Sequence, residues 1–284
     1  MICIPVVERE TMFDFQSYVL RQQANANKAP VRLQNYAYIE DIERLRKLAS
    51  SDLVRQAMSL GIQAWRLAQG RRVQSKSREV TRADHGERIT KAWSETCYLF
   101  GHTPLNLRHV ATQETLFEAY GEAESVFFGI SGATCSLPTT TLKFLFGRGI
   151  GALDNGHVPY LTLERFMTSA TRGLWTKATK IPDALLHWQR FADITEDRAG
   201  MMAARDISAA IMGMMKQKLD WDDGEIMREI RRYHEKLDVD WGMPEIEKRV
   251  KALELFTESN LYRTTGGRPI DQIDEGVKEI FGLF

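Results

Sequence analysis

A chain of 284 residues can form one large domain or two of ordinary size. Basic and acidic residues balance at 38 each, so the chain lacks the overall charge that attracts nucleic acid or an anionic membrane. No apolar run approaches the roughly 18 residues of a membrane span, and the first residues do not follow the signal-peptide pattern. The three cysteines form no CxxC pair, which indicates a cytoplasmic protein with reduced thiols. From the charge balance and the short apolar runs we expect no nucleic-acid partner and no membrane span.

The first third of the chain is predicted to be an arm followed by helices. Residues 1–36 show no clear periodicity and indicate an N-terminal arm or extension. From Ile39 to Gly70 apolar residues recur at the spacing that is typical of amphipathic helices. A polar break follows at Gln74–Gly86, and another helix is predicted near Glu87 to Phe100.

The middle of the chain is predicted to form a small sheet. Three short strand-like runs are separated by polar or glycine turns, at Leu105–Thr112, Thr115–Gly121 and Glu124–Ser131. This arrangement is typical of a meander, and after Pro138 the pattern is mainly helical. The sequence therefore predicts an α+β fold, mainly helical with a small central β-sheet, in one domain at 37–265 with a C-terminal tail at 266–284.

One predicted helix contains residues that helices usually avoid. The stretch "FLFGRGIGALDNGHVPYLTLERF", from Phe144 to Phe166, has the apolar content and length of a buried helix. Gly149 and Gly151 each cost about 1 kcal/mol relative to alanine in a helix interior. Arg148 adds a permanent charge to a surface that is expected to pack. Helix propensity alone does not explain this choice of residues.

Two short sequence motifs in this half of the chain, and a third segment downstream, resemble segments of a known protein family. "GRGIGALDNGH" (Gly147–His157) and "DITEDRAG" (Asp193–Gly200) are followed by "MPEIEKRVKALELFTESNLY" (Met243–Tyr262). In this order, behind the predicted strands, they resemble the gluzincin metallopeptidases of the HtpX and CAAX-prenyl-protease type. The His-Pro often found at the start of the third segment is Met243-Pro244 here. The resemblance implies a zincin-like domain with a cleft between the motif helix and the "DRAG" helix.

The resemblance also implies which positions have lost their chemistry. In an HExxH helix two histidines four residues apart bind zinc, the glutamate between them is the general base, and a later glutamate completes the ligands. The two histidines correspond to Arg148 and Ala152, the base to Gly149 and the third ligand to Asp193. We therefore expect no metal, no cofactor and no catalytic residue, and without a histidine pair to hold, nothing forbids glycine in this helix.

The resemblance leads to two further expectations about the cleft. Arg148 is predicted to pair with Asp193 or Asp197, so that an ion pair replaces the metal between the helices; the alternative is that Arg148 reaches through the old cleft to solvent. In active relatives an edge strand holds the substrate backbone. That strand corresponds here to a peptide-binding edge formed by Val126, Phe127, Phe128, Gly129 and Ile130.

These expectations lead to a binding protein rather than an enzyme. We expect a catalytically inactive metallopeptidase homologue that acts as a scaffold, assembly subunit or regulator and engages a protein partner or peptide segment. Formation of oligomers is compatible with this role. One alternative is a divergent zinc metalloendopeptidase with a relocated metal site, for which His157, Asp193 and Asp197 are the candidates. Another is a purely structural component whose cleft is filled by its own side chains. The methionines of Arg198–Leu219 are expected to pack in the core.

Overall fold

A computed structural model describes residues 36–65, 77–81, 84–112, 114, 116–121, 126–170, 181–219, 221–236 and 241–282. Apart from Tyr36, the predicted N-terminal arm lies outside the described residues. The described helices are α1 Ile39–Ser50, α2 Asp52–Trp65, α3 Gly86–Leu99, α4 Gly132–Cys135, α5 Thr139–Asp154, α6 Val158–Ala170, α7 Ile181–Ala204, α8 Ile207–Lys218, α9 Asp223–His234, α10 Pro244–Thr257 and α11 Ile270–Phe281. The protein is thus mainly helical, as predicted.

The first predicted helix is divided into two. Ser51 has ψ of 120°, outside the helical range, and separates α1 from α2. The apolar periodicity continues across this break, with Leu45, Val54, Met58 and Ile62 all buried. The sequence therefore predicted the buried face correctly for Val54, Met58 and Ile62 of α2. In α1 it was right for Leu45 but not for Ile39, which is 38% exposed, and it did not predict the break at Ser51.

The described sheet has four strands, β1 Ser77–Glu79, β2 Leu107–Val110, β3 Phe117–Tyr120 and β4 Phe127–Ser131, in the order β1-β2-β4-β3. β2 pairs in parallel with β4, whereas β1–β2 and β4–β3 are antiparallel. The sheet is therefore mixed, and the predicted meander is wrong because β4 inserts between β2 and β3. β1 falls in the predicted polar break, since its three residues carry no apolar alternation.

Helix α5 packs between the sheet and α7. On the sheet side, Phe146 of α5 meets Trp93 of α3 and Phe117 of β3, with ring centroids 5.2 Å and 4.9 Å apart. Phe128 of β4 completes this aromatic cluster, 4.8 Å from Trp93. Large aromatic rings bury extensive apolar area, so the cluster fixes α5 against the strands.

The methionine-rich segment packs in the core, which confirms that prediction. It forms the end of α7 and all of α8, and its methionine side chains are all buried: Met201, Met202, Met212, Met214 and Met215.

The segment predicted as a C-terminal tail contains α11, which packs on α10 and on the start of the described chain. Ile273 and Val277 of α11 are fully buried. Asp274 accepts hydrogen bonds from Arg198 of α7 and from the backbone N–H of Ile39. This segment is therefore part of the helical body, and its position depends on a long-range ion pair that local periodicity does not reveal.

Candidate functional site

The glycines of α5 are required by its packing against α7. A Cβ atom at Gly147 would lie 2.6 Å from the carbonyl oxygen of Ala199, and one at Gly151 would lie 2.7 Å from the Ala199 Cβ. These two glycines are four residues apart and so share one face of the helix. Glycine here allows the two helices to approach closely, which corrects the expectation that the glycines are only tolerated.

The position predicted for a general base faces the sheet. A Cβ atom at Gly149 would lie 2.5 Å from Cε1 of Phe117 and 3.1 Å from Cε1 of Phe128. Both rings belong to the aromatic cluster under β3 and β4. A side chain at this position would therefore require the Phe117 ring to shift.

Arg148 lies in a cluster of carboxylates from α7. Its Nη2 donates to Asp193 Oδ1 at 2.6 Å and to Glu196 Oε2 at 3.2 Å, and its Nη1 donates to Gln217 Oε1 of α8 at 2.7 Å. Its Nε lies 3.0 Å from Asp197 Oδ1 without hydrogen-bond geometry, so that contact is electrostatic. The structure brings together Arg148, Asp193 and Asp197, the three residues that the sequence placed in one ion pair.

A second arginine enters the cluster from α10. Arg249 makes a bidentate pair with Asp197, with donor–acceptor distances of 2.6 Å and 2.7 Å. Its Nη1 also lies 3.5 Å from Asp193 Oδ2. Arg249 and Arg148 therefore share both carboxylates, and the guanidinium pair joins three helices at one point.

Glu196 links this cluster to a fully buried histidine. His157 Nδ1 lies 3.2 Å from Glu196 Oε1, and His157 Nε2 lies 3.0 Å from Asp41 Oδ2 of α1. Burial by itself lowers the pKa of His157, but Asp41 and Glu196 outweigh it and raise the pKa to about 10. His157 is therefore a cation at neutral pH, and its ring packs edge-on against Trp188 at 5.2 Å.

The electrostatics of the cluster favour the ionised form of Asp193. Burial by itself raises the pKa of Asp193, but Arg249, Arg148 and Lys218 outweigh it and hold the pKa below its ordinary value. Burial by itself lowers the pKa of Arg249, but Asp193 and Asp197 outweigh it and raise the pKa above its ordinary value. This guanidinium therefore keeps its proton. Asp193 is therefore held in its ionised form, with its charge balanced by the neighbouring guanidiniums.

The cluster forms the floor of a cleft with a volume of about 220 Å³. One wall is β3, with Phe117, Glu118 and Ala119, and the opposite wall comes from α7, α8 and α10. Arg148 and Ala152 both line this space, four residues apart on α5, and Asp193 lies across from them. The positions that the resemblance assigned to zinc ligands thus meet at one cleft.

The strand next to the cleft is β3, not the predicted one. Val126 precedes β4, and Phe127, Phe128, Gly129 and Ile130 belong to β4, which pairs with β2 on one side and β3 on the other. Both backbone edges of β4 are therefore occupied, and every residue of the strand is buried. The prediction of a peptide-binding edge at Val126–Ile130 is wrong, because that strand lies inside the sheet.

Sequence reasoning missed three members of the cluster: Glu196, Gln217 and Arg249. Arg249 did leave a signal, because Ile246, Val250 and Leu253 are buried with it on the same face of α10. An arginine in the apolar stripe of a helix indicates a buried ionic partner. Glu196 left no such indication in the sequence, since an acidic residue between Thr195 and Asp197 is typical of a solvent-exposed helix face.

His157 does not lie with the residues proposed for a relocated metal site. Its ion-pair contacts are with Asp41 and Glu196, not with Asp193 or Asp197. Within the described ranges, no group of three or more His, Cys, Asp or Glu side chains has an arrangement that could hold a metal ion.

Comparisons of the chain with protein-family models, with curated proteins and with solved structures found no match. Of the helices that the structure describes, none combines the length and apolar character that crossing a membrane requires.

Proposed function

We propose that this chain is a metallopeptidase-like protein without peptidase activity, which binds an extended segment of a protein partner in the cleft beside β3. In this role it serves as a scaffold, assembly subunit or regulator. The observation that carries the proposal is the position of Arg148. Its guanidinium bridges α5 and α7, 2.6 Å from Asp193 and 3.0 Å from Asp197, at the helix position where the resemblance implies a zinc-binding histidine.

The residues of the cleft do not fit a catalytic zinc ion. A guanidinium has no lone pair to offer a metal, and Ala152 carries no donor atom. Asp193 and Asp197 are already bonded to two arginines, so a cation would have to replace both guanidinium contacts. Gly149, at the base position that the resemblance implies, carries no side chain, and a Cβ atom there would lie 2.5 Å from the Phe117 ring. Metal-assisted hydrolysis therefore has neither its ligands nor its base at these positions.

The cleft is suited to a peptide because β3 is an edge strand among the described strands. Backbone N–H and C=O groups on a sheet edge are complementary to those of an extended peptide, which can add as a further strand. The arginine–carboxylate cluster keeps the floor of the cleft polar, with the guanidiniums of Arg148 and Arg249 against the carboxylates of Asp193, Glu196 and Asp197. Such a site binds through backbone hydrogen bonds rather than net charge.

The first test is the metal content and activity of the purified protein. We expect less than one zinc per ten chains after dialysis, and no cleavage of β-casein, a naturally unfolded chain. Arg148→Ala is the matched variant that opens the floor of the cleft without adding a ligand. Stoichiometric zinc together with chelator-sensitive cleavage would establish the alternative, a divergent zinc metalloendopeptidase.

The second test is peptide addition to β3. Proline is tolerated on an edge strand where its missing N–H faces away from the neighbouring strand. The Ala119 N–H is such a group, because the backbone of Ala119 faces away from β4, so Ala119→Pro removes it and Ala119→Ser is the matched control. We expect fluorescein-labelled β-casein to bind the wild-type protein and Ala119→Ser, and to bind Ala119→Pro at least about tenfold more weakly. Equal binding to all three proteins would reject the cleft as the peptide site.

A further inference from the structure

We propose that Arg165 of α6 is a displaceable cap on the edge of β3, which an incoming peptide must remove before it can bind. This inference rests on the proposed function, since it concerns how the same cleft is opened. The evidence is a guanidinium bonded to a backbone carbonyl of the edge strand. Arg165 Nη1 donates to the Ala119 carbonyl oxygen at 2.9 Å.

The direction of that carbonyl follows from the ladder between β3 and β4. Ser131 N–H donates to the Leu116 carbonyl at 3.0 Å, so Leu116 faces β4. In an antiparallel pair, residues that bond to the neighbouring strand alternate with residues that do not. Glu118 and Tyr120 therefore face β4 with their backbone groups. Phe117 and Ala119, which are 5% and 3% exposed, present theirs to the other edge of the strand, where Arg165 covers the Ala119 carbonyl. Arg165 thus occupies an acceptor that a ligand strand would use.

Three contacts hold Arg165 over this edge. Besides the Ala119 carbonyl, its Nε lies 3.4 Å from Glu118 Oε1, and its guanidinium carbon lies 5.4 Å from the centre of the Tyr120 ring. Tyr120 in turn donates its hydroxyl proton to Glu118 Oε2 at 2.7 Å, which fixes that carboxylate. Glu118 and Tyr120 both belong to β3, so the strand itself holds the cap in place.

The same contacts allow the cap to leave at small cost. The Arg165 side chain is 29% exposed, and so is that of Glu118, so water can hydrate both groups after they separate. A guanidinium–carbonyl hydrogen bond is then exchanged for a peptide N–H bond to the same oxygen. Edge strands left open pair with other chains, and a charged side chain laid on the edge is a known protection. Arg165 therefore protects β3 and lowers its affinity for peptides.

The test measures binding of fluorescein-labelled β-casein by fluorescence anisotropy. We expect Arg165→Ala to bind about tenfold more tightly than wild type, because the ligand no longer competes with the guanidinium. Glu118→Gln loosens the cap without removing it, and a smaller gain is expected. Arg190→Ala is the matched control: this arginine is 60% exposed on α7, its carboxylate contact is with Glu245, and its loss should leave affinity unchanged. Circular dichroism confirms that each variant is folded.

Ala119→Pro, made in the wild-type and Arg165→Ala backgrounds, separates the two proposals. If Ala119→Pro does not weaken casein binding in either background, the proposed function and the cap are both overturned. If wild type binds at β3 and Arg165→Ala binds no more tightly, the cap is overturned while the proposed function stands. Tighter binding by Arg165→Ala that Ala119→Pro abolishes supports both.

Discussion

Arg249 donates two parallel hydrogen bonds to the Asp197 carboxylate, from Nε to Oδ2 at 2.6 Å and from Nη2 to Oδ1 at 2.7 Å. The two side chains are 5% and 2% exposed. Buried pairs of this kind contribute little net stability compared with apolar packing, but removing one partner leaves an uncompensated charge. The pair therefore makes the attachment of α10 to α7 sensitive to either residue.

We predict that Arg249→Met lowers the free energy of unfolding by about 3–5 kcal/mol, because Asp193 and Asp197 then share Arg148 as their remaining ion-pair partner. The loss would be measured by urea denaturation. The double variant Arg249→Met/Asp197→Asn should recover part of it, since the unpaired charge is removed as well. If Arg249→Met lowers the free energy of unfolding no more than Arg190→Ala does, the buried pair is not required for stability.

The buried histidine predicts a pH dependence of stability. The folded-state pKa of His157 is about 10, above its ordinary value near 6.5. The protonated histidine contributes its full stabilisation when the pH is below the unfolded-state pKa. This contribution is lost as the pH rises through the folded-state pKa. Stability should therefore fall between about pH 6.5 and 10, by at most about 1.4 kcal/mol per pH unit from this group.

His157→Gln is the variant that isolates this effect, because glutamine keeps a hydrogen-bonding side chain without the charge. Urea midpoints measured from pH 6 to 10 should fall with pH in the wild-type protein and change less in the variant. Parallel curves for the two proteins would mean that His157 folds in its neutral form.

The ion pair between Arg198 and Asp274 predicts that the C-terminal helix is required for stability. Arg198 is fully buried, and its Nη2 lies 2.6 Å from Asp274 Oδ1. Asp274→Asn should cost about 3–5 kcal/mol, measured by urea denaturation, because the guanidinium loses its counter-charge. Asp271→Asn, in the exposed first turn of the same helix, should cost no more than about 1 kcal/mol. Similar losses for both variants would contradict this account of α11.

The close approach of α5 and α7 predicts the effect of adding one methyl group. Gly147→Ala should destabilise the protein by about 1–3 kcal/mol despite the better helix propensity of alanine, because the new Cβ meets backbone atoms of α7. Gly276→Ala in α11 is the matched control, since its Cβ would meet the flexible end of Leu255. Thermal unfolding measures both, and a neutral Gly147→Ala would show that the helices have room to separate.

The resemblance to gluzincins can be tested by restoring the ligands. Arg148→His/Ala152→His places two imidazoles four residues apart on α5, facing Asp193 across the cleft. We expect this variant to bind one zinc per chain and Arg148→His alone to bind much less, measured by metal analysis and by cobalt absorption. Cleavage is not expected, because Gly149 supplies no base. If the double variant holds no metal, α5 and α7 lack the geometry that the resemblance implies.

Local patterns predicted the helices well because their buried faces repeat along the chain. Leu45, Val54, Met58 and Ile62 are buried at the spacing that the sequence showed. The order of the strands was not predictable in this way. The parallel pairing of β2 with β4 skips over β3, and short apolar runs contain no information about which neighbour they join. The edge strand was misassigned for that reason.

The amino acids alone establish that the segment Arg148–Ala152 contains no imidazole and no carboxylate, because ligand chemistry is a property of the residue type. They also show that Arg148 needs a partner. The folded chain decides which partners it has, since Asp193, Glu196, Gln217 and the neighbouring Arg249 come from three other helices. The same long-range packing puts β3 at the edge of the sheet and brings Arg165 onto it. Contacts between distant segments depend on how the surfaces of complete helices and strands pack together. Local sequence periodicity contains no information about that packing.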